Sequence, residues 1–330
     1  MGYSSPKTVA PSACATVFDC AFSSDGALFA AVDNTATLSV WNTDNITSVS
    51  DRQDNPLSPC CVSPLFQADT KSGPLYSVIF AGHYIITGGD LNIKLWNVNS
   101  PAEEPMSTMQ NPRLGTCSTG YAAVAETNGL AYCSESGQVF SASGQNVAYQ
   151  WDLNTSTVVN TFRGHSDYLH CICMGSSSHT IITGSEDGTA RLWDTRTSES
   201  QATFTNPDTK DWVGSISCSG DWLSYGTGSG NIYTYHLGSQ SLFQTFQGKA
   251  SVLSLTNIEN VLISAGYEPV ITSWNQDGTH KSRVNCDAEY VYSLKANPTN
   301  ARLRMACAGS ASMISFFTDL QLPPSIRLSM

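Results

Sequence analysis

Seven aromatic residues, each closing a short alternating segment, recur along the chain and constrain its fold more than any other feature. They are Trp41 in SVWN, Trp96 in KLWN, Trp151 in YQWD, Trp193 in RLWD, Tyr235 in YTYH, Trp274 in TSWN and Phe317 in SFFT. Their separations are 55, 55, 42, 42, 39 and 43 residues. The segments before them repeat one pattern, as in ALFAAVDNTATLSVW, YIITGGDLNIKLW, TIITGSEDGTARLW, WLSYGTGSGNIYTY and VLISAGYEPVITSW. An apolar, β-branched run, a turn rich in Gly and Asx, and a return to alternation read as strand, tight turn, strand. A sheet this small cannot bury both its faces alone. Seven of them stacked radially bury one another, and a planar ring at each seam fills the space between neighbours.

The most regular unit is RGHSDYLHCICMGSSSHTIITGSEDGTARLWDTR, residues 163–196. Its Gly-His pair, Asp-Gly turn and strand-closing Trp193-Asp194 resemble a WD40 repeat. That resemblance implies an all-β chain, a seven-bladed WD40 β-propeller of four-stranded antiparallel blades. The 330 residues accommodate seven units of roughly 40–45 each. The propeller is expected over residues 14–330, preceded by an extension, 1–13, that offers a strand to the last blade. The tail SIRLSM offers the same strand in simple chain order, which would leave the ring closed by side-chain packing without backbone pairing. The two longest spacings place insertions near 48–73 and 99–120. The first reads as a long fourth-strand region with a loop, and both read as irregular surface.

Charge and composition narrow the function. The net charge is -11 and the 16 Lys and Arg are scattered, which argues against a large nucleic-acid surface. Direct RNA binding is expected to be weak or absent. The 11 Cys lie mostly in strands and read as buried free thiols of a reducing compartment. Cys60-Cys61 has no partner set for a metal, since neighbours on a strand point to opposite faces. No apolar run reaches the length of a membrane-spanning helix, so no membrane is expected. GxxxxGK[ST] and HExxH are both missing from the sequence. These readings predict no catalytic residues, no cofactor and no metal.

His165, Thr183, Asp187 and Trp193 contain the parts of a nucleophilic site, but a structural role suits them better. In this kind of blade they form a buried chain from indole N–H to hydroxyl to imidazole to carboxylate, each satisfying the next. A catalytic hydroxyl would instead face a bound substrate. Blade 2 keeps Thr87, Asp90 and Trp96 but offers no matching His. Asp167 and Tyr168 follow the Gly-His turn near one rim and are candidate partner-binding residues, Tyr168 as an aromatic anchor. The other reading packs Tyr168 between blades 4 and 5.

The GHSDYLHC run at 164–171 and GSEDGTARLWD at 184–194 resemble subunit 6 of the THO complex, a WD40 family. GPLYSVIFAGHYIITGG at 73–89, DWVGSISCSGDWLSYGTG at 211–228 and FFTDLQLPPSIRLS at 316–329 carry the likeness through the chain. The resemblance implies a nonenzymatic scaffold of the transcription-export machinery, coupling transcription to mRNA processing and export. It implies docking onto other THO subunits, especially the coiled-coil pair of subunits 5 and 7, and a nuclear, speckle-like location. Trp193-Asp194-Thr195-Arg196 also resembles the WDxR motif of cullin-4 ligase substrate receptors. In that reading Asp194 and Arg196 contact the ligase adaptor.

Overall fold

The computed structural model describes residues 15–50, 59–90, 92–99, 104–113, 125–207, 211–299 and 302–330. These residues form seven four-stranded antiparallel sheets, each laid down in chain order from one edge to the other. Blade 4 is typical: Leu169–Met174, Thr180–Ser185, Thr189–Asp194 and Ser200–Thr205, from the channel outward. Each innermost strand packs against the innermost strand of the next blade, and Val17–Phe22 of blade 1 meets Val291–Ala296 of blade 7. The all-β, seven-bladed WD40 propeller expected from the sequence is therefore the fold.

All seven aromatic markers fall in the third strand of their blade, and all seven are buried. The seam between blades 4 and 5 shows why. Ile182, Leu192 and Phe204 of blade 4 pack with Val213, Leu223, Tyr225 and Tyr235 of blade 5 in one apolar cluster. Truncating such a ring would open a cavity between two sheets that have little freedom to collapse.

The fourth strand expected within 48–73 is present, but a helix that the sequence did not suggest, Thr43–Ser50, runs into that insertion from Trp41. Asn42 Oδ1 accepts the N–H of Asp44 at 2.8 Å, and Asp44 lies in the helix's positive first turn. Ile46 is fully buried in the cluster between blades 1 and 7. The fourth strand of blade 1 is short, Phe66–Asp69.

Ring closure also differs from packing alone. The tail supplies the outer strand of blade 7, Ile326–Ser329. Cys60, from the blade 1 insertion, forms a parallel bridge beside it. The Cys60 N–H donates to the Arg327 carbonyl at 2.6 Å, and the Ser329 N–H donates to the Cys60 carbonyl at 3.3 Å. Trp41 Nε1 donates to the Val62 carbonyl at 3.0 Å, tying the same segment to the third strand of blade 1. Residues 1–13, and with them the proposed N-terminal strand, lie outside the described residues, as do 51–58, 100–103 and 114–120 of the two insertions.

Near the channel, Asp19 of blade 1 joins three blades. It accepts from Ser77 Oγ (3.3 Å) and Val78 N–H (3.0 Å) of blade 2 and from Ser293 Oγ (2.7 Å) of blade 7. Lys295 Nζ lies 3.3 Å from it.

Candidate functional site

The four residues of blade 4 are brought together. Trp193 Nε1 donates to Thr183 Oγ1 at 2.8 Å, Thr183 Oγ1 lies 2.8 Å from His165 Nε2, and His165 Nδ1 lies 2.8 Å from Asp187 Oδ2. A neutral imidazole protonated on Nδ1 satisfies this order from end to end. Burial pushes His165 below its ordinary pKa against the opposing pull of Asp187. Burial works to raise the Asp187 pKa, but bonds from His165, Thr189 and the Ser166 N–H outweigh it and hold the carboxyl well below the usual range. The hydroxyl of Thr183 is fully enclosed. Both its bonds are used inside the blade, so no surface remains on which it could meet a substrate.

Other blades satisfy the indole more simply. Trp151 donates to Ser141 Oγ and Trp274 to Ser264 Oγ, each at 2.8 Å, and Trp96 to Thr87 Oγ1 at 3.2 Å. Asp90 stands six residues before Trp96, as Asp187 stands before Trp193. It points elsewhere: it accepts the Tyr76 hydroxyl at 2.6 Å.

Asp194 and Arg196 lie where the third strand of blade 4 ends. The guanidinium folds back on its own motif, Nε to Oδ1 at 3.0 Å and Nη2 to Oδ2 at 2.7 Å. The Arg196 side chain is 65% exposed, whereas Asp194 is buried beneath it. Hydrogen bonds from Arg196 hold the Asp194 carboxyl down to about 2.

Asp167 and Tyr168 stand on the opposite face, at the mouth of the central channel. Tyr168 is half-buried, and its hydroxyl donates to Glu126 of blade 3. It packs against blade 3 rather than between blades 4 and 5. Burial, then the Glu126 bond, push its phenol pKa up.

Sequence reasoning missed the rest of this mouth. In all seven blades the register slips after the first residue of the innermost strand, for example Val17/Asp19, Leu169/Cys171 and Val291/Ser293. The skipped residue re-aims its side chain toward the channel, as bulges do. Blades 1, 2 and 7 place Phe18, Tyr76 and Tyr292 there. Phe18 stands 5.4 Å, ring to ring, from both tyrosines. Blade 4 places His170, whose ring is 5.3 Å from Tyr168 and 5.2 Å from Trp212. Blade 5 has Gly214, where an added Cβ would lie 2.5 Å from Trp212 Cζ3. The glycine lets that indole lie over the strand. These groups surround a bowl of 620 Å³.

A second exposed aromatic group lies on the same face as Arg196, at blade 5. Trp222 and Phe243 are 40% and 60% exposed with their rings 4.8 Å apart. They border a groove of 330 Å³ whose other walls, among the described residues, are apolar, Ser, Thr, Asn or Gln, with no charged side chain. Among the described residues, no group of three or more His, Cys, Asp or Glu could hold a metal ion.

Comparison with known proteins places these features in a family. Residues 156–194, blade 4 and the strand before it, match the model of the WD domain, G-beta repeat. The chain is 30% identical to THO complex subunit 6 of Arabidopsis thaliana over 265 residues, covering 74% of this chain and 72% of the relative. It is 24% identical to THO complex subunit 6 of Homo sapiens over 318 residues, covering 92% of this chain and 90% of the relative. A third relative, THO complex subunit 6 of Drosophila melanogaster, is 29% identical over 106 residues.

Proposed function

Because the chain belongs to the THO complex subunit 6 family, we propose that it is a nonenzymatic scaffold subunit coupling transcription to mRNA processing and nuclear mRNA export. Its partners in this reading are other THO subunits, above all the coiled-coil pair of subunits 5 and 7. Its place is the nucleus, including speckles. The observation that carries the reading is likeness over nine-tenths of both chains in the human relative. The enclosure of the His165 constellation supports the scaffold role, since its polar groups are consumed by the fold. With a net charge of -11 the isolated chain binds single-stranded RNA weakly or not at all at physiological salt.

Affinity purification of the tagged chain from nuclear extract tests the reading. Subunits 5 and 7 are expected in stoichiometric amounts. Recovery of a folded propeller without them would overturn it.

A second reading, substrate receptor of a cullin-4 ligase, rests on the exposed guanidinium of Arg196 held in place by Asp194. Arg196→Ala is then expected to abolish adaptor capture with melting unchanged. A wild-type chain that captures no adaptor ends that reading.

A further inference from the structure

We propose that the channel mouth is a receptor for an arginine side chain of a partner peptide. Four observations converge. First, two aromatic arcs face one another. Tyr292, Phe18 and Tyr76 come from consecutive blades 7, 1 and 2, while Tyr168, His170 and Trp212 come from the far side of the ring. Aromatic faces attract a cation electrostatically, and a planar guanidinium also stacks on them.

Second, the rim is acidic. Asp167 and Glu186 line the bowl and are exposed. Glu126 and Asp90 stand directly behind the two tyrosine hydroxyls that donate to them. Among the described residues, no Lys or Arg lines the bowl. The cation that does enter the channel, Lys295, is deeper and already paired with Asp19.

Third, the space is built. The bowl measures 620 Å³, a volume within the usual range of ligand sites. It opens onto a channel of 230 Å³ that can receive an extended side chain. The bulges that turn Phe18, His170 and Tyr292 inward, together with Gly214, shape its wall.

Fourth, the carboxylates select among cations. A trimethylated ammonium has no N–H to give a carboxylate and gains only the attraction of its charge, whereas a guanidinium gains directed hydrogen bonds as well. Glu186, fixed by its bond to His170, presents the carboxylate geometry that a guanidinium grips with two parallel bonds.

The test uses the full chain and synthetic peptides of Gly, Ser and Ala around one central residue. That residue is arginine, citrulline, lysine or trimethyl-lysine. Titration calorimetry and tryptophan fluorescence read binding, with Trp212 as the local reporter. Saturable binding of the arginine peptide is expected, at least tenfold tighter than the citrulline peptide, which keeps the shape and loses the charge. Glu186→Gln preserves the bond to His170 and removes the charge. It is expected to weaken the arginine peptide about fivefold or more without shifting the melting temperature. Phe18→Leu is expected to weaken it about tenfold. Equal binding of arginine and citrulline peptides, no binding of either, or tighter binding of trimethyl-lysine than arginine would each overturn the proposal. Capture of THO subunits is read separately, so failure here is distinguishable from failure of the scaffold reading.

Discussion

Replacing Asp187 with alanine separates a fold-stabilising constellation from an idle one. Its carboxylate accepts from His165 Nδ1 (2.8 Å), the Ser166 N–H (3.0 Å), the Thr189 N–H (2.9 Å) and Thr189 Oγ1 (2.6 Å). Ser166 is exposed and Thr189 only partly covered, so water can replace the carboxylate at both. The His165 side chain is 1% exposed, and its donor is stranded. Thr189 Oγ1, 3.2 Å from His165 Nδ1, offers partial relief. One buried donor losing a charged acceptor costs about 2–3 kcal/mol. An unfolding entropy of about 2.1 cal/mol/K per residue over 330 residues converts this to a melting shift of roughly 3–4 °C. Asp90→Ala is the matched control, since Asp90 occupies the same place in blade 2 but takes the hydroxyl of Tyr76 at the mouth. Its shift is expected to be about half as large or less. Scanning calorimetry of the two variants decides. Equal shifts, or a shift below about 1 °C for Asp187→Ala, would refute the reasoning.

The same network gives a pH dependence of defined sign. Burial lowers the folded-state pKa of His165 below its ordinary 6.5. Below about 6.5 the unfolded chain therefore binds a proton that the native chain refuses, and stability rises with pH through this window. Acidification from pH 7 toward 5 is expected to lower the melting temperature, and His165→Gln to flatten that slope. Asp187 adds a loss of the same sign below about 3.9, because its folded carboxyl stays ionised to lower pH than the unfolded one. A slope unchanged by His165→Gln would remove His165 as its source.

Cys60→Pro deletes the N–H that reaches the Arg327 carbonyl. Hydrogen exchange at Ser329 is expected to accelerate while blade 4 stays protected, at a cost of about 1–2 kcal/mol. Asp19→Ala removes the acceptor shared by Ser77, Val78 and Ser293. Urea titration should find it destabilised by about 2–3 kcal/mol, and less than 1 kcal/mol would show that the three blades do not depend on it. Phe243→Asp, at an exposed aromatic, is expected to lower recovery of THO partners with little change in melting. Undiminished recovery would free the blade 5 groove of that role.

The blade count was legible because one bulky ring per unit sits at the end of the third strand, where a neighbouring sheet demands it. The blade 4 network was legible because four side-chain types recur at fixed offsets from Trp193. The channel mouth was not. A bulge inserts one residue out of phase, so alternation assigns Phe18, His170 and Tyr292 no common face until the register is known. Asp90 shows a related limit. Its spacing from Trp96 matches that of Asp187 from Trp193, yet without a histidine beside it the carboxylate turns to Tyr76. The helix Thr43–Ser50 was hidden differently. Thr, Asn, Ser and Val have modest helix propensity, and burial of Ile46 between blades 1 and 7 supplies what local preference lacks.

That buried helix changes how the first insertion is understood. A propeller whose last blade ends on its own tail has one seam that no covalent connection crosses, between blades 7 and 1. Side-chain packing holds every seam, but the other six are also linked by the chain passing from one blade to the next. The insertion supplies the missing link from outside, with Ile46 and Cys60 in the core and Cys60 paired to the final strand. Asp19 supplies a second link near the channel, through Ser293 of blade 7. A segment that composition marks as irregular surface is thus engaged in closing the ring. Among the described residues, two exposed aromatic surfaces are built by the blades themselves: the acidic mouth on one face and the Trp222–Phe243 groove on the other. Because they lie on opposite faces, a peptide held in the mouth leaves the Trp222–Phe243 groove uncovered.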